Sequence, residues 1–197
     1  MRLLGSASIA LLIGLCLWRP GWADVYAYTA ADGAVERMAY ELSRPRFPAS
    51  WASDGVPHAW RDGDTEVFAA AVDESAKIDV NAAPETLLRG LFEHVAGADG
   101  ATAAKLADAV QDWRDPDDFS RLHGAEKDAY WAAGKDYLPR NSNFETIDEL
   151  RLVLGVDASL FERIAPSITV YSGRSGVDSS IAPGSVLLAL PGATPAL

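Results

Sequence analysis

The sequence is poor in cysteine and in basic residues. Cys16 is its one cysteine, so no disulfide can form within the chain and the redox compartment cannot be inferred from pairing. Seventeen lysines and arginines stand against 28 aspartates and glutamates, which gives a net charge of −11 at pH 7. A protein that follows the phosphates of a nucleic acid needs a basic surface. The composition therefore argues against nucleic-acid binding.

Catalytic groupings are lacking as well. The three histidines, His58, His94 and His123, occur in unrelated contexts. The sequence contains no nucleophile elbow, metalloprotease helix or phosphate-binding loop. Carboxylates are plentiful, but no pattern pairs them as the acid and base of a hydrolase. We therefore predict that the protein is not an enzyme.

The longest apolar run is short and lies at the N-terminus. It extends from Leu3 to Trp18 after the basic Arg2 and ends at Arg19-Pro20, short of the roughly 20 residues that a membrane-spanning helix needs. Residues 1–23 are typical of a signal peptide, with Ala23 at a possible cleavage point, or of a membrane anchor that stays attached. Either interpretation predicts that the rest of the chain is exported.

Residues 24–80 combine one helix with strands. Apolar residues recur at three- and four-residue spacing through residues 24–42, which predicts a helix. Residues 56–61 and 65–72 flank Asp62-Gly63-Asp64, a turn that predicts a β-hairpin. Residues 77–80 alternate as a further strand. We expect a small antiparallel sheet.

Residues 81–166 are predicted to be helical, with strand-like residues 167–172 after them. Two helix pairs joined by glycine-containing turns form a weak repeat typical of helix-hairpin-helix units. Thr146 and Glu149 form a capping box, and Asp157 can cap the next helix. The turns carry Asp99 and Asp157 without basic residues, which favours a structural role over the alternative of nucleic-acid binding. A helical domain inserted between strands of a small sheet accounts for the strand-like flanks.

Acidic residues concentrate in residues 111–136. Pro116 disfavours helix at the residue before it, so these carboxylates are expected on a loop between two apolar-periodic stretches and not along one helix face. Asp115, Asp117 and Glu126 have the spacing of the first, third and twelfth positions of an EF-hand loop, but Phe119 and Ser120 do not fit that motif. Two interpretations remain open: a calcium-binding loop and a solvated acidic loop. The nearby aromatic residues are expected to pack in the core; they are Trp113, Tyr130, Trp131 and Tyr137.

Several motifs occur in a familiar order. KIDVNAAPETLL, DAVQDWRDPDD, GAEKDAYW and PRNSNFETIDELRLVLGVDASLFERIAPSITVYSG resemble the type II secretion system minor pseudopilin K (GspK) family, over about residues 30–191. The resemblance implies an α+β, type IV pilin-like fold: an N-terminal helix and a small antiparallel sheet with a large inserted helical domain. It also implies structural Ca²⁺ in the acidic segment. The ligands carried over are Asp115, Asp117, Asp118 and Glu126, and also Asp112 and Asp128.

The same resemblance implies the protein's place and partners. It implies a non-catalytic subunit at the tip of the type II secretion pseudopilus, assembled with the I- and J-type minor pseudopilins. The N-terminal segment would lie in the inner membrane and the main domain in the periplasm. Gly5 corresponds to the prepilin processing site. The implied domains are an anchor or signal segment (1–23), a pilin-like helix and first strands (24–80), a helical insertion (81–166), and a returning strand with a shortened tail (167–197).

Overall fold

The computed structural model describes residues 9–14, 23–44 and 51–193. The chain divides into two compact units, Met1–Glu74 and Ser75–Leu197, called here the first and second units. The first unit combines helix and antiparallel sheet, and the second is mainly helical. This matches the predicted α+β class. The division itself falls a few residues before the predicted start of the helical insertion at residue 81.

The first unit packs one helix on a three-stranded antiparallel sheet. Helix α1 spans Ala23–Ser43, and the strands are β1 (Ile9–Gly14), β2 (His58–Asp62) and β3 (Thr65–Asp73), in the order β1-β3-β2. A two-residue turn joins β2 to β3, with Gly63 at φ 59°, the positive value that a type II′ turn needs at this position. The predicted hairpin is therefore confirmed.

Small side chains let α1 lie close to the sheet. Ala34 and Met38 from α1 are buried against alternate residues of β3, as expected where one face of a strand meets the core. Those β3 residues are Val67, Ala69 and Ala71. At the margin of this core, the guanidinium of Arg37 lies 4.6 Å from the ring centre of Trp60 and 5.5 Å from that of Trp51.

Part of the predicted targeting segment lies in the sheet. β1 pairs antiparallel with β3, from Ile9 opposite Asp73 to Gly14 opposite Phe68. Gly5 and residues 15–22 lie outside the described residues. None of the helices in the described ranges has the length and apolar character needed to cross a membrane. Membrane anchoring and processing at Gly5 stay predictions.

The second unit is built from short helices around one apolar core. Its helices are α2 (Glu85–Gly90), which continues as a π-helix over Leu91–Val95, α3 (Gly100–Arg114), α4 (Lys127–Ala132), a 3-10 helix over Ile147–Leu152, α5 (Ala158–Ile164) and α6 (Gly184–Leu188). Gly97 and Gly155 have φ values of 72° and 91° in the turns before α3 and α5. The predicted pair of helical hairpins is present.

Acidic side chains begin both hairpin helices, which confirms the predicted cap at Asp157 and adds one at Asp99. The Asp99 side chain accepts from the backbone N–H groups of Ala101 and Thr102 at the start of α3. Asp157 accepts from Leu160 N–H at the start of α5. Each cap satisfies donors that a helix leaves free at its N-terminus.

The strand-like flanks pair with each other and not with the antiparallel sheet. β4 (Ile78–Asp79) and β5 (Ile168–Thr169) form a short parallel ladder within the second unit. This differs from the expectation that both segments belong to the first sheet. The reason is burial: Ile78 and Ile168 are almost fully enclosed in the helical core. Below them the Asp79 side chain accepts from Gly173 N–H at 2.6 Å and from the Ser172 hydroxyl at 3.2 Å.

Polar side chains join segments that are distant in sequence. The Asn81 amide donates to the carbonyl of Phe144 at 2.9 Å and accepts from its N–H at 2.8 Å. Arg114 at the end of α3 donates to the carbonyls of Val80 and Ala83. These bonds hold the segment after β4 against both hairpins.

We predict that Asn81→Ala destabilises the second unit by about 1–3 kcal/mol, because both backbone groups of the buried Phe144 lose their partner. Urea unfolding measures the effect. Asn143→Ala is the matched control, since Asn143 is exposed, and should change stability by less than about 0.5 kcal/mol. Equal effects of the two substitutions would show that the Asn81 bonds do not hold the unit together.

Candidate functional site

The acidic loop, defined as residues 115–126, connects α3 to α4. Asp115 ends α3 in an extended conformation (φ −81°, ψ 156°), as expected for a residue that precedes proline. Asp117 and Asp118 lie on the loop, whereas Asp112 lies within α3 and Glu126 immediately precedes α4. The expectation that these carboxylates all lie on the loop is therefore wrong for Asp112 and Asp128, which belong to α3 and α4. Asp128 lies exposed in the first turn of α4.

One face of α3 carries two carboxylates toward this loop, and a third follows at the end of the helix. Asp108 and Asp112 have the i, i+4 spacing that places side chains on one side of a helix, and Asp115 is the first residue after it. Asp108 and Asp112 are buried, and Asp108 accepts from His123 N–H at 3.1 Å. The sequence analysis missed Asp108, although its spacing from Asp112 and Asp115 was a signal for it.

Arg121 folds the loop back onto α3. Its backbone N–H lies 3.2 and 3.3 Å from the two carboxylate oxygens of Asp112. Its Nη1 donates to Asp112 Oδ1 at 3.0 Å and also to Asp115 Oδ2. Burial raises the pKa of Asp112, and the hydrogen bonds from Arg121 counteract part of that rise. Sequence reasoning did not identify Arg121, although it is the only lysine or arginine between residues 115 and 126.

Gly124 allows the loop to approach Asp112. A Cβ atom at this position would lie 1.9 Å from Asp112 Oδ2, far inside van der Waals contact. Any side chain here would therefore displace the loop or the carboxylate. The glycine is needed for space and not for its backbone angles.

Three buried oxygens at the loop have no hydrogen-bond partner in the described part of the chain. They are Oε1 of Glu126, Oδ1 of Asp115 and Oδ1 of Asn141. Asn141 has φ 49°, and its amide nitrogen donates to the Asp117 carbonyl at 2.8 Å and to Asp118 Oδ1 at 3.0 Å. Because Asn141 lies 23 residues beyond Asp118, no local pattern pointed to it.

Glu126 is the most perturbed acid of the site. Only 5% of the residue is exposed. Burial, with further repulsion from the nearby carboxylates Asp112, Asp115, Asp118 and Asp117, raises the pKa of Glu126 to about 7. Buried carboxylates that lie close together repel one another when charged, so a raised pKa is expected for an acid in this position.

Aromatic rings form the wall behind the loop. Trp113 lies 6.0 Å from Tyr130 and 6.0 Å from Phe144 between ring centres, and Tyr130 lies 5.9 Å from Tyr137. The Tyr130 hydroxyl accepts from Leu154 N–H at 3.1 Å. The predicted core role is confirmed for Trp113, Tyr130 and Tyr137. It is wrong for Trp131, which is 60% exposed because it lies on the outer side of α4.

The carboxylates are not arranged as a ready cluster of acids around one point. Among the described residues, no group of three or more Asp, Glu, His or Cys side chains is placed to hold a metal ion. Arg121 accounts for part of this, because it occupies one oxygen each of Asp112 and Asp115. The unpartnered oxygens of Asp115, Glu126 and Asn141 are nevertheless hard donors of the type that Ca²⁺ prefers.

Comparison with known proteins identifies the family. Residues 62–173 match the family model described as type II secretion system (T2SS), protein K. Type II secretion system protein K of Klebsiella pneumoniae is 29% identical over 168 residues, covering 78% of this chain and 51% of the relative. The corresponding protein of Pectobacterium carotovorum subsp. carotovorum is 33% identical over 97 residues, covering 49% of this chain and 29% of the relative.

A solved structure shares the fold. The crystal structure of the GspK-GspI-GspJ complex from enterotoxigenic Escherichia coli contains a chain that matches with a TM-score of 0.61 at 20% identity, covering 84% of this chain and 64% of that one. The shared fold is α+β and pilin-like. The chain belongs to the type II secretion system protein K family, as the resemblance of its motifs predicted. It spans about half the length of its Klebsiella relative.

We predict that metal-free protein loses stability as the pH rises through 7, because Glu126 must then ionise while buried. The folded protein retains the Glu126 proton up to a pKa of about 7, against an ordinary value of 4.5, so it binds more protons than the unfolded chain between these values. The stability that this bound proton contributes is fully present below pH 4.5 and is lost as the pH rises through 7. In chelator, the free energy of unfolding of Glu126→Gln should therefore exceed that of the wild type by on the order of 3 kcal/mol at pH 8 and match it near pH 4.5.

Chemical denaturation across this pH range measures the difference. Asp128→Asn controls for the loss of one negative charge at an exposed position and should keep the wild-type fall in stability. Parallel pH profiles for the wild type and Glu126→Gln would contradict a buried, perturbed Glu126.

Proposed function

We propose that this chain is a non-catalytic minor pseudopilin at the tip of the type II secretion pseudopilus. The family match over residues 62–173 carries the proposal, because it extends from the hairpin of the first unit through most of the helical unit. The Escherichia coli structural relative was crystallised as a complex with GspI and GspJ. We carry the corresponding I- and J-type pseudopilins over to this chain as its partners.

The size of the second unit supports a capping role. In a filament, each subunit must leave room for the next one above it. The second unit comprises more of the chain than the first and has its own apolar core, so it adds rigid bulk to the subunit. A subunit of this kind ends a filament by steric exclusion and needs no catalytic group. Residues 23–74 and the second unit would lie in the periplasm, and the N-terminal segment, whose residues 9–14 pair with β3 in this structure, would attach the chain to the inner membrane.

The alternative of nucleic-acid binding finds no support in the comparisons, and the hairpin turns argue against it. Helix-hairpin-helix units that hold phosphates use free N–H groups at a helix start. Here Asp99 takes up the N–H groups of Ala101 and Thr102, and Asp157 takes up that of Leu160. A phosphate would meet a carboxylate at each turn, in a chain of net charge −11.

We further propose that the acidic loop binds structural Ca²⁺. The unpartnered oxygens of Asp115, Glu126 and Asn141 support this, with Asp117 and Asp118 beside them. A divalent cation would neutralise the carboxylates that now raise the pKa of Glu126. Both carboxylate oxygens of Asp112 already accept hydrogen bonds from Arg121, and Asp128 lies beyond the loop in α4, so neither is included in the proposed donor set.

The tip assignment predicts two results in the native organism. Coexpressed full-length chain should copurify with the I- and J-type pseudopilins and leave the major pseudopilin behind. Raising the amount of the chain relative to the major pseudopilin should shorten surface pseudopili, because more tips are capped. Filament length is measured by immunofluorescence. Unchanged length at several expression levels would contradict capping, and copurification with the major subunit alone would contradict the partner assignment.

The calcium assignment predicts a thermal shift. Ca²⁺ at 100 times its dissociation constant should stabilise the folded protein by about 2.7 kcal/mol relative to chelator. Glu126→Gln should lose most of this gain, because a buried donor loses its charge, whereas Asp128→Asn should keep it. Differential scanning calorimetry with Ca²⁺ and Mg²⁺ makes the comparison. Equal gains in both variants would place any bound calcium elsewhere.

A further inference from the structure

The acidic loop exposes two large apolar side chains. Phe119 is 82% exposed and Leu122 is 89% exposed, more than any other large apolar side chain in the described part of the chain. They lie three residues apart on the connection between α3 and α4. Single apolar residues are scattered over most protein surfaces, but two such exposed side chains this close in sequence favour an interaction surface.

Polar side chains fix the backbone on both sides of Phe119. The N–H group of Phe119 donates to Asp117 Oδ1 at 2.9 Å. The Asn141 amide donates to the Asp117 carbonyl at 2.8 Å. Two residues beyond Phe119, the N–H group of Arg121 lies 3.2 Å from Asp112 Oδ2. Phe119 therefore extends into solvent from a backbone that is held before and after it.

The backbone of Leu122 is held in a turn. The N–H group of Gly124 donates to the Arg121 carbonyl at 3.1 Å, which makes Leu122 the second residue of a β-turn. The next residue, His123, donates its N–H group to the buried Asp108 at 3.1 Å. The turn is thus bonded to α3, while the Leu122 side chain stays in solvent.

A loop held in this way is suited to binding. Its fold depends on polar bonds, so neither apolar side chain is needed to keep its shape. A partner that contacts a preorganised loop loses less conformational entropy than one that must order a mobile segment. Large apolar side chains encircled by polar groups also match the apolar core and polar rim of protein interfaces.

The charge beside Phe119 selects the kind of partner. Asp117 and Asp118 directly precede it and are both exposed, and the chain as a whole carries a net charge of −11. Arg121 does not offset these two acids, because its guanidinium is paired with other carboxylates. A second copy of this chain or an anionic lipid surface would bring like charge to the loop and oppose association. A protein surface with lysine or arginine is complementary to it.

We propose that Phe119 and Leu122 form a docking surface for another protein, which presents an apolar pocket with a basic rim. Leu122 also borders a cavity of about 450 Å³ between α2, α3 and the loop, and this cavity has room for a side chain of the partner. The inference goes beyond the proposed function, because it requires neither the tip position nor bound calcium.

Photo-cross-linking of the full chain in the native organism tests the docking surface. The photoreactive residue p-benzoylphenylalanine replaces Phe119, Leu122 or Tyr171 in turn. Tyr171 is the matched control, since it is a 61% exposed aromatic residue of the same unit. We expect both loop positions to cross-link one and the same protein, about tenfold more strongly than the Tyr171 position does. Mass spectrometry of the product should place the cross-link next to lysine or arginine residues of that protein.

Binding of the purified partner then separates the apolar and charged contributions. Phe119→Ser should weaken binding by about tenfold, corresponding to about 1.4 kcal/mol, whereas Tyr171→Ser should not. Asp117→Asn keeps an oxygen for the Phe119 N–H group but removes the charge. In chelator, where no bound cation can mask the carboxylate, it should slow association about threefold at low salt and much less at high salt.

Several results would overturn the proposal. They are the absence of a cross-link at both loop positions, equal cross-linking at Tyr171, and a product that joins the chain to a second copy or to lipid. A partner surface without basic residues would contradict the charge argument. Because both side chains are exposed, Phe119→Ser and Leu122→Ser should each leave the Tm within about 2 °C of the wild type. A larger fall in both variants would assign these residues to the fold and not to docking.

Discussion

The buried carboxylate of Asp112 is the group on which the acidic loop depends. An unpaired charge in this position would cost several kcal/mol. Here the backbone N–H and the guanidinium of Arg121 both donate hydrogen bonds to it. The same carboxylate comes so close to Gly124 that no side chain fits there. The large apolar side chains of the loop contribute little, since Phe119 and Leu122 are 82% and 89% exposed. The loop is therefore shaped around an acid.

The same logic extends through the second unit. Its helices are short, and several of its connections depend on a polar side chain that satisfies buried backbone groups: Asn81 for Phe144, Arg114 for Val80 and Ala83, and Asp79 for Gly173. Such bonds are specific because a buried backbone group left without a partner is costly. They fix how hairpins and ladder meet, while the apolar core supplies most of the stability.

What the sequence could predict was local, and what it could not was the pairing of distant segments. The hairpin at Gly63, the caps Asp99 and Asp157, and the end of α3 before Pro116 each follow from a few adjacent residues. The parallel pairing of β4 with β5 joins segments about 90 residues apart. Nothing in the sequence of either strand identifies the other as its partner. At the acidic loop the carboxylates were visible in the sequence, but the contribution of Asn141 depends entirely on the fold.

The excess of acidic residues has different consequences at the hairpin turns and at the acidic loop. At the hairpin turns, Asp99 and Asp157 accept from the N–H groups that a phosphate would need. Helix capping accounts for both carboxylates. At the acidic loop, the carboxylate oxygens outnumber the hydrogen-bond donors that reach them. In the described residues, every buried side-chain oxygen without a partner belongs to this loop or to Asn141. Arg121 pairs with Asp112 and Asp115 and supplies one positive charge to these acids.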